Sequence, residues 1–467
     1  MKQVDFENGR IAQNVACTAF PMLVAQVLSL LYSIVDRIYI GRIPGEGTSA
    51  LGAVGLCFPI IILITGFTNM YGMGGSPLFA MELGRGNCDK AEKIMNTSFR
   101  LLSVTAFLII ILGEVFAEPL LRIFGASDNA MKYALIYLRI YLTGTFFSMV
   151  TTGMNPFINA QGFPGIGMLS VVIGAVSNLI LDPFFIFTLG MGVSGAAVAT
   201  VVSQGLSMIL VSHYIFGKKL KQQIRMEKIR RVKDAFPFAG DIVSLGMAPF
   251  IMQCTNSLVQ AACNRVLMVF GGEVYVSVMT IVSSVRQILD TPVMAVVEGA
   301  SPVISYNYGA KRGRNVRKAM MLMMQVTVPY TLVVWMLILW RPELFISIFS
   351  QDKTLLADAV PALHLYFFAY IFQSLQYSGQ TVFKALNKKK HAVFFSLFRK
   401  AVMVIPLTYL FPYMFGLGAN GVFMAEPVSN VIGGAACFAT MLLTVLPELK
   451  RMENTRHDSS VIQEGTL

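Results

Sequence analysis

The sequence predicts an all-α polytopic membrane protein: twelve transmembrane helices in two six-helix bundles related by a pseudo-two-fold axis along the membrane normal. Three observations predict it. Of 467 residues, 55% are hydrophobic and 13% are charged, about half of the roughly 25% charge typical of soluble domains. The apolar residues gather in runs of about 20, the length a helix needs to cross hydrocarbon, and not in the short alternating segments of a barrel. The second half of the chain also repeats the first.

Taken in order, the spans fall at 14–40, 51–78, 94–117, 131–157, 166–188 and 192–216. Arg85, Lys90 and Lys93 follow the second span, and Lys218, Lys219, Lys221, Arg225, Lys228, Arg230, Arg231 and Lys233 follow the sixth. The second set is 242–270, 277–305, 318–340, 358–383, 391–413 and 419–446. Lys311, Arg312, Arg314, Arg317 and Lys318 follow the eighth span, and Lys388, Lys389 and Lys390 the tenth. The alternate loops hold few basic residues: Arg42, Arg122, Arg341 and Lys353. Lys and Arg mark the cytoplasmic side, so a cell-membrane protein with both termini inside is expected. Their confinement to loops also accounts for the net charge of +12 without a nucleic-acid partner. The first run lacks a short apolar core followed by a cleavage site, so it reads as an uncleaved span.

Leu189-Gly190-Met191-Gly192-Val193-Ser194-Gly195 returns as Phe415-Gly416-Leu417-Gly418-Ala419-Asn420-Gly421, and Phe157 returns as Phe383, both 226 residues later. Asp36-Arg37 lines up with Asn264-Arg265. An even number of spans per copy keeps both copies in one orientation, a parallel repeat. The expected division is an N-terminal lobe at 1–216, a basic linker at 217–240, a C-terminal lobe at 241–450 and a cytoplasmic tail at 451–467. Duplicated bundles of this kind suit alternating access, with substrate held between the halves.

The polar groups inside the spans carry the chemistry. Asp182 lies in the apolar run Met168 to Leu189, and an aspartate at bilayer depth costs about 2.5–3.5 kcal/mol on insertion scales. Asn178, four residues earlier, shares its helical face, and Pro183 removes a backbone donor just beyond. Asp36 falls near the outer end of the first span, and Thr200 lies roughly 12 Å down the sixth. Two carboxylates, an amide oxygen and a hydroxyl make a hard-oxygen set for Na⁺ or for a shared proton. The same four groups also suit a structural network tying three helices together, and Arg37 is an alternative partner for Asp36. Asp182 matches Thr408 in the repeat and Asp36 matches Asn264, so both acids belong to the first half alone.

Arg286 and Asp290, four apart on the eighth span, are expected to pair locally. Glu298 has no obvious partner and can attract a cationic substrate. Arg399 and Lys400 either snorkel or pair with Glu298 or Asp290. Glu426 matches Thr200, precedes Pro427 and suits a second-half relay. Gln373, Gln376 and Gln380 either line a cavity or tie helices together. The 28 Met and 34 Phe offer a soft lining for varied apolar substrates, although most face lipid or core. Cys17, Cys57, Cys88, Cys254, Cys263 and Cys437 show no C-x-x-C spacing and read as free, mostly buried thiols.

Other function classes find less support. His213, His364, His391 and His457 are scattered, with no H-E-x-x-H, and no G-x-x-x-x-G-K-[ST] loop supports ATP drive; an enzyme is not expected. Duplicated halves with buried acids favour a carrier over a channel. A lipid-linked oligosaccharide flippase of related architecture is the alternative. It would favour a strongly cationic cavity and spans beyond twelve.

Val35-Asp36-Arg37-Ile38-Tyr39-Ile40-Gly41, Asn178 through Phe187, Gly190 through Thr200, Ser305-Tyr306-Asn307-Tyr308-Gly309-Ala310 and Ala425-Glu426-Pro427 together resemble the multidrug and toxic compound extrusion (MATE) transporters. The resemblance covers essentially the whole chain and is strongest to the bacterial multidrug export branch. It implies a two-lobed, V-shaped fold that expels cationic and amphipathic drugs in exchange for H⁺ or Na⁺. The family's first-lobe cation site maps onto Asp36, Asn178, Asp182 and Thr200. The Na⁺-linked branch carries an acid on the seventh helix where this chain has Asn256, and Glu298 stands where relatives often carry Gln. The substrate cavity is expected to draw on Glu298, Asp290, Arg286, Asn256, Gln373, Lys400 and Glu426. A monomer among membrane lipid is expected, with no cofactor beyond the coupling ion.

Overall fold

The structure, a computed structural model, describes residues 3–44, 47–124, 126, 128–217, 236–349 and 353–464. The basic linker expected at 217–240 therefore lies mostly outside the described residues, with its eight Lys and Arg.

Among the described residues the chain is helical, without a strand. Helix α1 is Ile11–Gly41, α2 Gly47–Gly84 and α3 Cys88–Ile123. Helix α4 is two pieces, Asp128–Thr143 and Thr145–Ala160, bent by 53°. Helix α5 is Pro164–Pro183, continued by a π turn at Phe184–Thr188, and α6 is Val193–Ile215. The helical stretch Ala239–Gly309 is interrupted at Gly272, whose φ of 64° and ψ of −159° no helix accommodates, so it is two helices, α7 at 239–271 and α8 at 273–309. Helix α9 is Gly313–Trp340, followed by the short Pro342–Ile346. Helix α10 is Lys353–Phe367 with Tyr370–Ala385, bent by 45°. Helix α11 runs through Lys389–Leu397, a π segment at Phe398–Val404 and Ile405–Tyr413. Helix α12 runs through Gly418–Ser429, a π segment at Asn430–Gly434 and Ala435–Glu464.

With the two bent pairs counted as single spans and 239–309 as two, the twelve spans expected from hydropathy each have a helix. The helices overrun the apolar runs because the backbone stays hydrogen-bonded past the last apolar side chain. In α12 the helix continues through most of the expected tail, to Glu464. Large apolar side chains such as Ile111, Leu112 and Val115 on α3 point outward, exposed at 60%, 54% and 67%, as a bundle surrounded by hydrocarbon requires.

The backbone carries the duplication. Gly190 and Gly192 take left-handed φ of 64° and 55°, and their repeat mates Gly416 and Gly418 take 66° and 56°. The breaks in α4 and α10 also fall at corresponding positions, before Thr145 and before Tyr370.

The packing divides the chain into two units. The first holds the residues up to Val4 and Pro21–Gln253; the second holds Asp5–Phe20 and everything from Cys254 onward. Helix α1 changes unit at its internal proline, Pro21. Within the second unit, Thr18 donates its hydroxyl to the Gly299 carbonyl at 2.7 Å. A Cβ on Gly299 would sit 2.6 Å from the Ala19 Cα, so only glycine lets α1 and α8 approach this closely. The first unit repeats the arrangement: a Cβ on Gly74 of α2 would sit 2.8 Å from the Gly246 Cα of α7.

Candidate cation site and a buried charge cluster

Asn178 and Asp182 stand one turn apart on the inner face of α5, 3% and 1% exposed. The Asn178 Nδ2 donates to Asp182 Oδ1 at 3.1 Å and reaches Thr200 Oγ1 of α6 at 3.5 Å. Thr200 gives its own proton to the Ala196 carbonyl at 3.0 Å, so its lone pairs remain for the cluster. Asp36, on α1, faces the Asp182 carboxyl within hydrogen-bonding reach. Two carboxylates are both acceptors, and they can share a bond only through a proton or another cation. Asp36 Oδ1, Asn178 Oδ1 and Asp182 Oδ2 are buried with no donor among the described residues. Three acceptors on two helices are thus buried without a donor. The oxygen-only donor set fits a proton or a monovalent hard cation. Among the described residues no three His, Cys, Asp or Glu gather as a metal group.

Arg37 acts on Asp36 through its charge but makes no direct bond to it. Its guanidinium lies over the Phe58 ring, 4.7 Å from the centroid, and no ion pair joins it to Asp36 among the described residues. Three tyrosines border the site that the sequence reading did not single out. Tyr32, one turn before Asp36, senses the charge of Asp36 and Asp182, and Tyr137 senses that of Asp36. Tyr141 stacks on Tyr137 with centroids 6.1 Å apart. The signal available was Tyr137 and Tyr141 at i, i+4 in an apolar span, where a phenol hydroxyl needs a partner.

The second unit holds a different cluster. The Arg286 Nε donates to Asp290 Oδ2 at 3.2 Å, and its Nη1 donates to the Tyr366 hydroxyl at 2.6 Å and reaches Glu426 Oε1 at 3.0 Å. The same Glu426 oxygen accepts from Arg399 Nη1 at 3.1 Å and from Lys400 Nζ at 2.6 Å. Asp290 also accepts from Tyr370 at 3.0 Å, Gln373 at 2.6 Å and Tyr377 at 3.1 Å. Arg399 bonds Asn430 as well, and Asn430 Nδ2 donates to Gln373 Oε1 at 3.3 Å. Helices α8, α10, α11 and α12 are joined through these groups. The π segment 398–404 carries Arg399 and Lys400, and the extra residue per turn lets two consecutive side chains both reach Glu426.

The family model described as MatE matches residues 21–184 and matches again at 249–410. The chain belongs to the MatE family. It is a multi-pass membrane transporter, and the two matches stand at the spacing of the internal repeat. The multidrug export protein MepA of Staphylococcus haemolyticus (strain JCSC1435) is 23% identical over 412 residues, 88% of this chain and 89% of that protein. The FAD transporter of Shewanella oneidensis is 22% identical over 437 residues, 92% of this chain and 93% of that one. Among solved structures, a MATE crystal structure in complex with MaD3S has a TM-score of 0.89 at 23% identity, covering 97% of this chain and 99% of its own.

Several sequence expectations for this MatE chain need correction. Arg399 and Lys400 do not snorkel, nor do they pair with Glu298 or Asp290. They are 2% exposed and bound to Glu426, because a buried cation takes the nearest carboxylate across the helix interface. Glu298 is half-buried and interacts electrostatically with Lys384 of α10. Asn256 is exposed and enters neither cluster. Of the two roles expected for Gln376 and Gln380, the helix tie holds: they donate to the Phe395 carbonyl of α11 at 3.5 Å and to Ser396 at 3.1 Å. The six cysteines are free; Cys57, Cys263 and Cys437 are buried, while Cys17 and Cys88 are exposed.

Proposed function

We propose that the chain is a secondary active antiporter of the cell membrane that exports cationic and amphipathic drugs in exchange for H⁺ or Na⁺. Asp36, Asn178, Asp182 and Thr200 form its cation site. The observation that carries this reading is the set of three donorless buried oxygens, Asp36 Oδ1, Asn178 Oδ1 and Asp182 Oδ2. Buried acceptors left without donors are costly, and a bound cation supplies what they lack. As H⁺, it bridges the two carboxyls and halves their negative charge. As Na⁺, it takes oxygens from both carboxylates, the Asn178 amide and the Thr200 hydroxyl. Either way the α1 and α5 carboxyls repel each other without the ion and close on each other with it. The conformational preference of this unit thereby depends on occupancy, which is what coupling to a second ligand requires. The relatives named as multidrug export proteins support drugs as the cargo.

The test is efflux of a fluorescent cation from proteoliposomes, with pH and Na⁺ gradients imposed separately. One of the two gradients is expected to drive efflux and so to identify the ion. Efflux equally fast with no gradient would reject antiport.

A further inference from the structure

The charge cluster of the second unit holds a surplus that cation coupling leaves unused. With Lys400 protonated, Arg286, Arg399 and Lys400 bring three positive charges; Asp290 and Glu426 bring two negative ones. Neither carboxylate has spare capacity on the atoms involved. Asp290 already accepts from Arg286, Tyr370, Gln373 and Tyr377, and one oxygen of Glu426 takes all three cations. The cations differ in this respect. Two guanidinium groups and an ammonium carry more than twice as many N–H donors as the six bonds they make among the described residues.

Access is one-sided. Arg399, Lys400 and Glu426 are sealed at 2%, 2% and 3% exposure, whereas the Arg286 and Asp290 side chains retain 17% and 13%. A net positive charge held this far from water is costly unless an anion shares the site. The planar guanidinium fork matches a carboxylate or a phosphate better than it matches a halide.

We propose that this cluster is a binding site for an oxyanion, a carboxylate or phosphate group, which docks on Arg286 and balances the surplus cation. The site lies in the unit that lacks Asp36 and Asp182 and is separate from the coupling-ion site. The oxyanion arrives either as a free inorganic anion or as an acidic group on a transported molecule. Only the second source rests on the transport reading above.

The experiment uses the full chain, in detergent and in proteoliposomes. Inorganic phosphate and acetate are titrated at constant ionic strength against a chloride baseline while thermal unfolding is followed. Saturable stabilisation is expected, with apparent affinity at least about tenfold weaker in Arg286→Gln and only partly recovered in Arg286→Lys, which keeps the charge but loses the fork. The proteoliposomes are then given carboxyfluorescein, an anionic dye, and ethidium, a cationic one. Arg286→Gln is expected to shift the ratio of anionic to cationic dye movement at least about tenfold. Phosphate stabilisation without carboxyfluorescein movement assigns the site to the free anion. Absence of both overturns the proposal. So does an Arg286→Gln protein that slows both dyes alike and keeps its phosphate response, which makes the cluster a brace. Protein that moves neither dye yet still binds phosphate refutes the transport reading and leaves the anion site standing.

Discussion

The two polar centres of this protein sit on repeat-related helices and carry opposite surpluses. In the first unit, acceptors outnumber donors around Asp36, Asn178 and Asp182. In the second, cations outnumber carboxylates around Glu426. The exchange is readable position by position: Asp182 against Thr408, Asp36 against Asn264, Thr200 against Glu426. Among the described residues Thr408 makes only a helical bond to the Val404 carbonyl at 2.8 Å and a contact with Cys263 at 3.9 Å, and Asn264 accepts from Gln260 at 3.1 Å. The backbones match down to the left-handed glycines of the α5–α6 and α11–α12 turns. Duplication thus preserved the frame, and a few side chains at equivalent depths made one centre hungry for a cation and the other saturated with them.

Five substitutions test this contrast. The largest effect is expected from Asp182→Asn, which removes one of the two facing carboxyls; ion-driven dye efflux from proteoliposomes should fall to background while the protein still inserts. Undiminished efflux would remove Asp182 from the coupling site. Next comes Glu426→Gln, which leaves Arg399 and Lys400 buried without their carboxylate and Arg286 with Asp290 alone. Breaking a buried ion pair on one side costs about 3–5 kcal/mol, so thermal unfolding in detergent should drop sharply, whereas Thr200→Ala at the equivalent position should leave stability nearly unchanged. Equal losses of stability at the two positions would erase the distinction between a brace and an ion site. Asp36→Asn is expected to slow coupled efflux about tenfold, less than Asp182→Asn, since Asp36 is only half-buried and Asp182 fully so. The smallest change is expected from Glu298→Gln. Its charge is already offset by Lys384, so export of cations should weaken about two- to threefold and export of neutral compounds not at all. Equal effects on both would take Glu298 out of substrate recognition.

The sequence disclosed most of the frame because hydrocarbon imposes its length on every span and the repeat shows up as paired glycine turns. It disclosed the Asn178–Asp182 pairing because i, i+4 spacing is a local geometric fact. It did not disclose the bends before Thr145 and Tyr370, since each falls where the apolar character barely changes, whereas the break at Gly272 falls between the spans expected at 242–270 and 277–305. For Arg399 and Lys400 it offered snorkelling or a pairing with Glu298 or Asp290 and missed Glu426, 26 or more residues away, which both reach from a π segment that no periodicity announces. The tyrosines around Asp36 were hidden by their own amphipathic nature: in a span rich in aromatics, a hydroxyl earns notice only once a carboxylate lies beside it.

The traded ends of α1 and α7 have a practical corollary. Residues 5–20 precede the chain's midpoint but belong to the later unit, and the stretch before Cys254 belongs to the earlier one. A gene cut in the basic linker would give two fragments, each carrying off a segment the other's fold contains. Such fragments should be insoluble or degraded when expressed singly and should complement each other when made together.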